Sequence, residues 1–414
     1  MSPLVVIILI VLVDLIGFTI VMPLLPPFAE QYGFSKVQIG LLLAAYPMCQ
    51  LVAGPILGRL SDRYGRRRVL IVSQAGTALS FLILGLSHNY TIMLLARMLD
   101  GASGGNILVA QAYIADITKP EHRARSYGLI GAAFGIGFVL GPLLGGLLVS
   151  MPVAQEWQLR LPFLIAAGFS TLAWVLVLTH LPESLPADST VRQAARVVTW
   201  HGLLGAVSSA RIGLLVGVGA LVVLAFAALE GTFSLFLHER LGWSPRGAAL
   251  GFAFLGLVSA IVQGGLIRRL VPRFGEPRLI LVGIATLAVG MAAMALVTNT
   301  PTLLGAALIV GVGQGLASPT IQGLLSRVTP GSEQGAIFGT LTSAQTLARM
   351  INYLVANRLL GQFGPAAPFW EGAIIATLSL ALASALIFGL TGLNVRSAEG
   401  QPDEVGLSAA EVDG

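Results

Sequence analysis

Between Leu4 and Phe28 the chain carries one charged side chain, Asp14, in a run that is otherwise almost wholly apolar. A helix of ~20 apolar residues crosses a bilayer core, and in hydrocarbon the backbone must satisfy its polar groups within the segment or in a closed barrel. Eleven further runs follow. The expected helices are 4–28, 37–58, 69–87, 91–116, 127–150, 162–181, 211–237, 247–267, 278–298, 301–326, 335–360 and 368–392. Only 10% of the 414 residues are charged, against roughly a quarter in soluble domains. A soluble enzyme is therefore excluded, and the fold class is an all-α membrane protein of twelve transmembrane helices. Residues 1–20 are read as a retained first helix, because no Lys or Arg precedes Lys36 and no small-residue cleavage site follows.

The net charge of +5 would suit nucleic acid, but basic residues in such a chain first report topology. An even number of spans puts both ends on one side. The loops and tail of that side hold 17 basic residues and the opposite loops five, so both termini are expected in the cytoplasm of a multi-pass cell-membrane protein. No nucleic-acid partner is expected. The lone Cys49 cannot form an intrachain disulfide.

Arg63-Tyr64-Gly65 returns as Arg273-Phe274-Gly275, and Gln111, Thr118 and Gly128 return as Gln322, Thr329 and Gly339. The longest polar interruption lies between these two sets. The expected organisation is a six-helix bundle over 1–181, a cytoplasmic linker over 182–210, a second six-helix bundle over 211–393 and a tail over 394–414. Two parallel repeats imply a pseudo-twofold axis along the membrane normal and a substrate site near the midplane between them.

The loop from Gly58 to Arg68 holds Asp62, Arg63, Gly65 and Arg66 among its arginines. Glycines permit close approach and a tight turn, and Asp62 can accept charge-assisted bonds from arginines or a helix N-terminus. A second stretch, Gly137 to Gly146, spaces glycines around Gly141-Pro142. The first loop resembles the signature between helices 2 and 3 of the major facilitator superfamily, and the second resembles the Gly-Pro signature of that superfamily's antiporters. Arg97-Met98-Leu99-Asp100-Gly101, Gln111 to Thr118, and Phe236 to Ser244 are similar to the tetracycline-efflux branch of its twelve-helix drug:proton antiporters. The resemblance implies gating roles for Gly58, Asp62, Arg63, Gly65, Arg66, Gly141 and Pro142, and a central cavity lined by the first and fourth helices of each half. The sequence departs from the family's pattern in three places, the first being Asp100, where an uncharged residue is usual. The ninth helix, Arg278 to Thr298, has no carboxylate, and the eleventh has Asn352-Tyr353 where relatives show Gly-Pro.

An ionisable side chain at the centre of a span costs ~2.5–3.5 kcal/mol on insertion scales, so each needs a partner, a wet cavity or a task. Asp14 lies ~15 Å along its helix at about 1.5 Å per residue, near the midplane, and Asp100 reaches a similar depth from the other side. Both are candidates for carrying a proton, with Arg97 alongside. Arg97 and Asp100, three apart on one face, can also simply neutralise each other. Arg349, ~21 Å into its helix, needs an anion, which Asp14, Glu230 or an acidic substrate group could supply. Glu230 sits nearer the outer end, where either cavity contact or solvation fits it. Asn352, Gln50, Gln263 and Gln314 are candidates for lining the cavity or for bonding neighbouring helices.

Enzyme chemistry finds no footing. No His pair has metal-ligand spacing, no Gly-rich loop ends in Lys-Ser/Thr, and no cofactor or metal is expected. The functional expectation is a monomeric, proton-coupled exporter of small amphipathic molecules in the lipid bilayer, working by alternating access. A sugar or metabolite facilitator without proton coupling is the alternative. A receptor or scaffold would need a larger soluble part than this chain has.

Overall fold

The computed structural model describes residues 2–118, 120–185, 210–330 and 333–398. It is helical throughout, with no strand among the described residues. The helices are α1 (Pro3–Glu30), α2 (Lys36–Tyr64), α3 (Arg66–Leu86), α4 (Tyr90–Ser103), α5 (Asn106–Ile117), α6 (Pro120–Val149), the short α7 (Gln155–Gln158) and α8 (Leu161–His180). After the break in the described residues come α9 (Ala210–Leu241), α10 (Pro245–Ile261), α11 (Ile267–Ala295), α12 (Thr300–Val328), α13 (Gln334–Phe363) and α14 (Ala367–Ala398), with a π turn over Val262–Leu266 joining α10 to α11. Ten stretches are long and apolar enough to cross a membrane, one of them the 51-residue Pro245–Ala295. The 30-residue α13 is too polar to count among them, since it holds Arg349, Asn352, Asn357 and Arg358.

Three expectations change. The basic loops shrink, because α2 runs to Tyr64 and α3 starts at Arg66, so Gly65 alone makes the turn. Likewise Gly275 is the only non-helical residue within Ile267–Ala295, so most of the basic stretch 268–278 is helical. The expected helix 91–116 is instead two, broken at Gly104-Gly105. The last helix continues to Ala398, five residues past the expected boundary, and most of the linker and tail fall outside the described residues.

Local chemistry repeats along the chain with the spacing of the sequence repeats. Gly33 (φ 77°) and Gly242 (φ 66°) each precede an aromatic residue and then a capping serine, Ser35 for α2 and Ser244 for α10. Gly65 (φ 102°) and Gly275 (φ 74°) mark the two turns, and Asn89 and Asn299 cap α4 and α12. An L side chain is strained in the left-handed region, and a side-chain oxygen at the N-cap satisfies the first free N–H groups.

Burial follows the same division. One apolar core is confined to 6–181 and another to 212–386. A third mixes the two, packing Leu24, Leu25 and Phe28 of α1 and Leu42 of α2 with Leu235 of α9 and Tyr353 and Leu360 of α13. At this junction Pro27 lacks an N–H, which leaves the Pro23 carbonyl without its helical donor, and Ser234 Oγ of α9 donates to it at 2.5 Å. Lys36 Nζ beside it reaches both Glu30 (2.6 Å) and Glu239 (2.5 Å), tying the ends of α1, α2 and α9 together.

The two glycine turns differ in what surrounds them. A Cβ on Gly65 would collide with the Glu183 carboxylate, whereas one on Gly275 would meet nothing nearer than Pro277 Cδ at 3.7 Å. Glu183 caps α3, accepting from the Arg66 N–H at 2.8 Å and the Arg67 N–H at 3.3 Å. Gly275→Ala is expected to cost about 1–2 kcal/mol of backbone strain. Gly65→Ala is expected to cost more, because the cap is displaced as well. Equal falls in the thermal midpoints of the two variants would remove Glu183 from this account.

Candidate functional site

Between α1, α2 and α4 on one side and α13 on the other lies a pocket of about 430 Å³ including its mouth. Aromatic and aliphatic side chains make most of its wall, among them Phe18, Met22, Leu43, Tyr46 and Tyr353, and Gln50, Arg97 and Arg349 bring polar groups to it. A second pocket of about 290 Å³ shares Phe18 and Tyr46 with the first and contains Asp14, Asp100, Asn106 and Thr77.

Each arginine is neutralised from behind. Arg349 Nε donates to Glu230 Oε2 at 2.8 Å, and Tyr353 Oη donates to the same oxygen at 3.2 Å. Glu230 is only 2% exposed, so it is an interior partner and not a solvated helix end. Arg97 Nη1 donates to Asp100 Oδ2 at 2.8 Å, its Nε reaches the Leu42 carbonyl at 3.3 Å, and its guanidinium lies 5.1 Å from the Tyr46 ring centroid. The pairing within α4 that sequence spacing allows is thus present.

The break at Gly104-Gly105 organises the second pocket. A Cβ on Gly101 would strike the Tyr46 carbonyl and one on Gly105 would strike Leu57, so small residues let α2 press against the break. The carbonyls it frees are used: Gln50 Nε2 donates to Gly104 O at 3.0 Å, and Ser73 Oγ donates to Ser103 O. The new helix then begins at Asn106, whose Nδ2 donates to Asp14 Oδ2 at 3.2 Å. Gln50 therefore both lines the first pocket and secures the break.

Other candidates lie elsewhere. Gln263 is exposed in the π turn, and Gln314 is half-buried on α12. Asn352 is fully buried and turns toward α14, where it donates to Glu371 Oε1 at 2.9 Å. None of the three lines either pocket. Asp62 pairs with Arg66 at 2.7 Å, and Arg66 also binds Asp116 at 3.1 Å and donates to Ser61 Oγ at 2.6 Å. This loop is knit to the end of α5 and, through Glu183, to the segment after α8. On α6, the missing side chains of Gly137 and Gly141 make room for α1, and Thr19 Oγ1 donates to Gly137 O at 2.7 Å. Pro142 frees the Phe138 carbonyl, against which Gly256 of α10 packs.

Sequence reasoning missed Asn106, Thr77, Glu183 and Glu371. The Gly104-Gly105 pair was a legible break signal that would have drawn attention to Asn106. Glu371 and Thr77 carry no such local mark.

Two long helix pairs, α2 with α13 and α6 with α10, join the first part of the chain to the second and approach closely at one end. The place of a Cβ on Gly40 of α2 is 2.7 Å from the Tyr353 carbonyl of α13, and that on Gly146 of α6 is 3.4 Å from the Arg246 carbonyl of α10. At the end carrying the basic turns, Gly58 of α2, Gly128 and Gly131 of α6, Gly264 and Gly265 of the π turn, and Gly339 of α13 have nothing within 4 Å of that place.

Removing Arg349 strands Glu230. Arg349→Ala is expected to lower unfolding stability by about 3 kcal/mol without any ligand, and adding Glu230→Gln is expected to restore part of it. Thermal melts of both variants check this, and an unaltered single variant would mean that Glu230 finds another partner.

A family model described as the Major Facilitator Superfamily matches residues 7–273 and 264–410. The tetracycline resistance protein, class B, of Escherichia coli is 30% identical over 372 residues, covering 88% of this chain and 89% of that protein. Multidrug resistance protein 2 of Bacillus subtilis is 27% identical over 343 residues, 82% of this chain and 84% of that protein. Among solved structures, the human organic anion transporter MFSD10 (TETRAN) matches with a TM-score of 0.70 at 26% identity, covering 92% of this chain and 98% of that one. With its paired pocket arginines, helical body and membrane spans, the chain belongs to the Major Facilitator Superfamily and is a transporter, not an enzyme.

Proposed function

We propose that this transporter is a proton-coupled exporter of small amphipathic molecules, working by alternating access. The observation that carries the reading is Asp14, a carboxylate on α1 facing the broken span α4–α5, beside a pocket walled by aromatic rings and paired arginines. Its partner Asn106 donates to one carboxylate oxygen, and the other is buried near the Gln74 amide without a hydrogen bond of good geometry. A carboxylate so placed can hold a proton while facing one side of the membrane and release it while facing the other. The names of the relatives in Escherichia coli and Bacillus subtilis support drug efflux as the cargo class.

The architecture behind this reading is two six-span halves, 1–181 and 211–393, joined by the linker and related by a pseudo-twofold axis. Splitting Pro245–Ala295 at the π turn and Gly275, and counting α13, turns ten spans into twelve. Repeated caps and glycine turns 209 to 210 residues apart support the axis. With the basic side as cytoplasm, both termini are cytoplasmic. The protein acts as a monomer, because each half supplies one wall of the pocket.

Asp14→Asn should preserve folding and abolish uptake driven by an imposed pH gradient in proteoliposomes; normal gradient-driven flux in this variant would move the proton to another group, with Asp100 next. Asp62 acts in gating. In the inward-open arrangement it is held by Arg66 within its own turn, and in the outward-open one its contacts help hold the cytoplasmic ends together. Asp62→Asn is therefore expected to shift distances between the cytoplasmic ends of α2 and α13, read by paired spin labels, toward the separated population. An unchanged distribution would leave the turn with a topological role only.

A further inference from the structure

The second pocket contains more oxygen than its hydrogen bonds use. Asp14 Oδ1 from α1, Thr77 Oγ1 from α3 and Asn106 Oδ1 from α5 are all buried with no hydrogen bond of good geometry, and all three residues line this one pocket; the buried Gln74 amide of α3 lies close to Asp14 and is equally unsatisfied. Thr77 is 4% and Asn106 5% exposed, so these are interior groups. Asp100 from α4 lines the same space, with one carboxylate oxygen engaged by Arg97. The charged or titratable groups facing the pocket are Asp14, Tyr46 of α2, Asp100 and Arg97, with Arg349 of α13 beyond the shared Tyr46. Two carboxylates against one guanidinium leave one negative charge to balance.

We infer that this pocket is a monovalent cation site that takes a sodium ion through oxygens of Asp14, Thr77, Asn106 and Asp100. Hard cations select carboxylate, amide carbonyl and hydroxyl oxygen, which is the donor set here. A single positive charge neutralises the pocket, whereas a divalent ion would leave it charged in a low-dielectric interior. A proton meets the same charge requirement but donates to only one neighbour. A coordinated ion occupies Thr77 Oγ1 and Asn106 Oδ1 along with Asp14 Oδ1. Asn106 is suited to both roles, since its Nδ2 orients Asp14 while its Oδ1 stays available. The break at Gly104-Gly105 is what brings a side chain from the second half-helix to this position.

The inference deepens the proton reading in that sodium and a proton would compete at Asp14, but sodium binding itself does not depend on transport. The test uses the full chain purified in detergent, with thermal midpoints in sodium chloride and in choline chloride at equal ionic strength and alkaline pH. A sodium-specific rise of a few degrees is expected, lost in Thr77→Val and in Asn106→Leu, with both variants melting cooperatively in choline. As pH falls, the sodium concentration giving the half-maximal shift should rise by about tenfold per unit where the proton competes. Identical midpoints in the two salts, or a sodium shift surviving in both variants, would overturn the site. If Asp14→Asn abolishes gradient-driven uptake while the wild type ignores sodium, the proton reading stands and the sodium site falls. If the sodium shift is present and Asp14→Asn remains coupled to protons, the reverse holds.

Discussion

A backbone polar group left unpaired in hydrocarbon costs several kcal/mol, and at the break in the fourth span side chains supplement the one backbone bond that Ser103 O keeps, from the Gly105 N–H at 2.9 Å. Gln50 and Ser73 take the carbonyls of Gly104 and Ser103, from α2 and α3 respectively. These two bonds fix three helices around one point. The position of Asn106, and through it the orientation of Asp14, follows from them. The polar groups of the second pocket accordingly come from five helices, Asp14, Tyr46, Thr77, Asp100 and Asn106 on α1 to α5 in turn.

The pocket between the halves is bounded by two arginines, yet no ion pair crosses it. Arg97 is balanced by Asp100 within the N-terminal half, and Arg349 by Glu230 within the C-terminal half. Separating the halves there breaks hydrophobic contact but strands no buried charge, a loss that would cost far more than either pair contributes. Near the basic turns two further pairs lie at repeat-related positions with opposite polarity. Arg66 binds Asp116 in the first half, and Glu276 binds Arg327 in the second. Cross-half ties gather at the other end, at Lys36 and Ser234.

Most helix positions and the paired glycine turns were legible because hydrophobic runs and Gly-containing turns are local signals. Gly65 and Gly275, matched in sequence as Arg-aromatic-Gly, turned out to share the same positive-φ turn. That Arg349 needs an anion was legible from its depth, with Glu230 among the candidates; which of them it meets, 119 residues away on α9, no local pattern decides. Nor was the destination of Asn352 legible; it points to Glu371 on the side of α13 away from the pocket. Periodicity says that a residue is on a helix; which neighbour that face meets is settled by tertiary packing. The extent of the basic loops was misjudged for a related reason. Charge marks the membrane boundary, but a helix can run on past it when one glycine suffices to turn the chain.

The proline at position 27 gives the outer junction an acceptor that belongs to neither partner permanently. A carbonyl in an uninterrupted helix is occupied by its own ladder; that of Pro23 is vacant by covalent structure and takes Ser234 when α1 and α9 touch. Whenever these ends part, water can take the place of the hydroxyl, and one hydrogen bond is traded for another at little net cost. Such a bond adds direction to the contact without deepening either energy well.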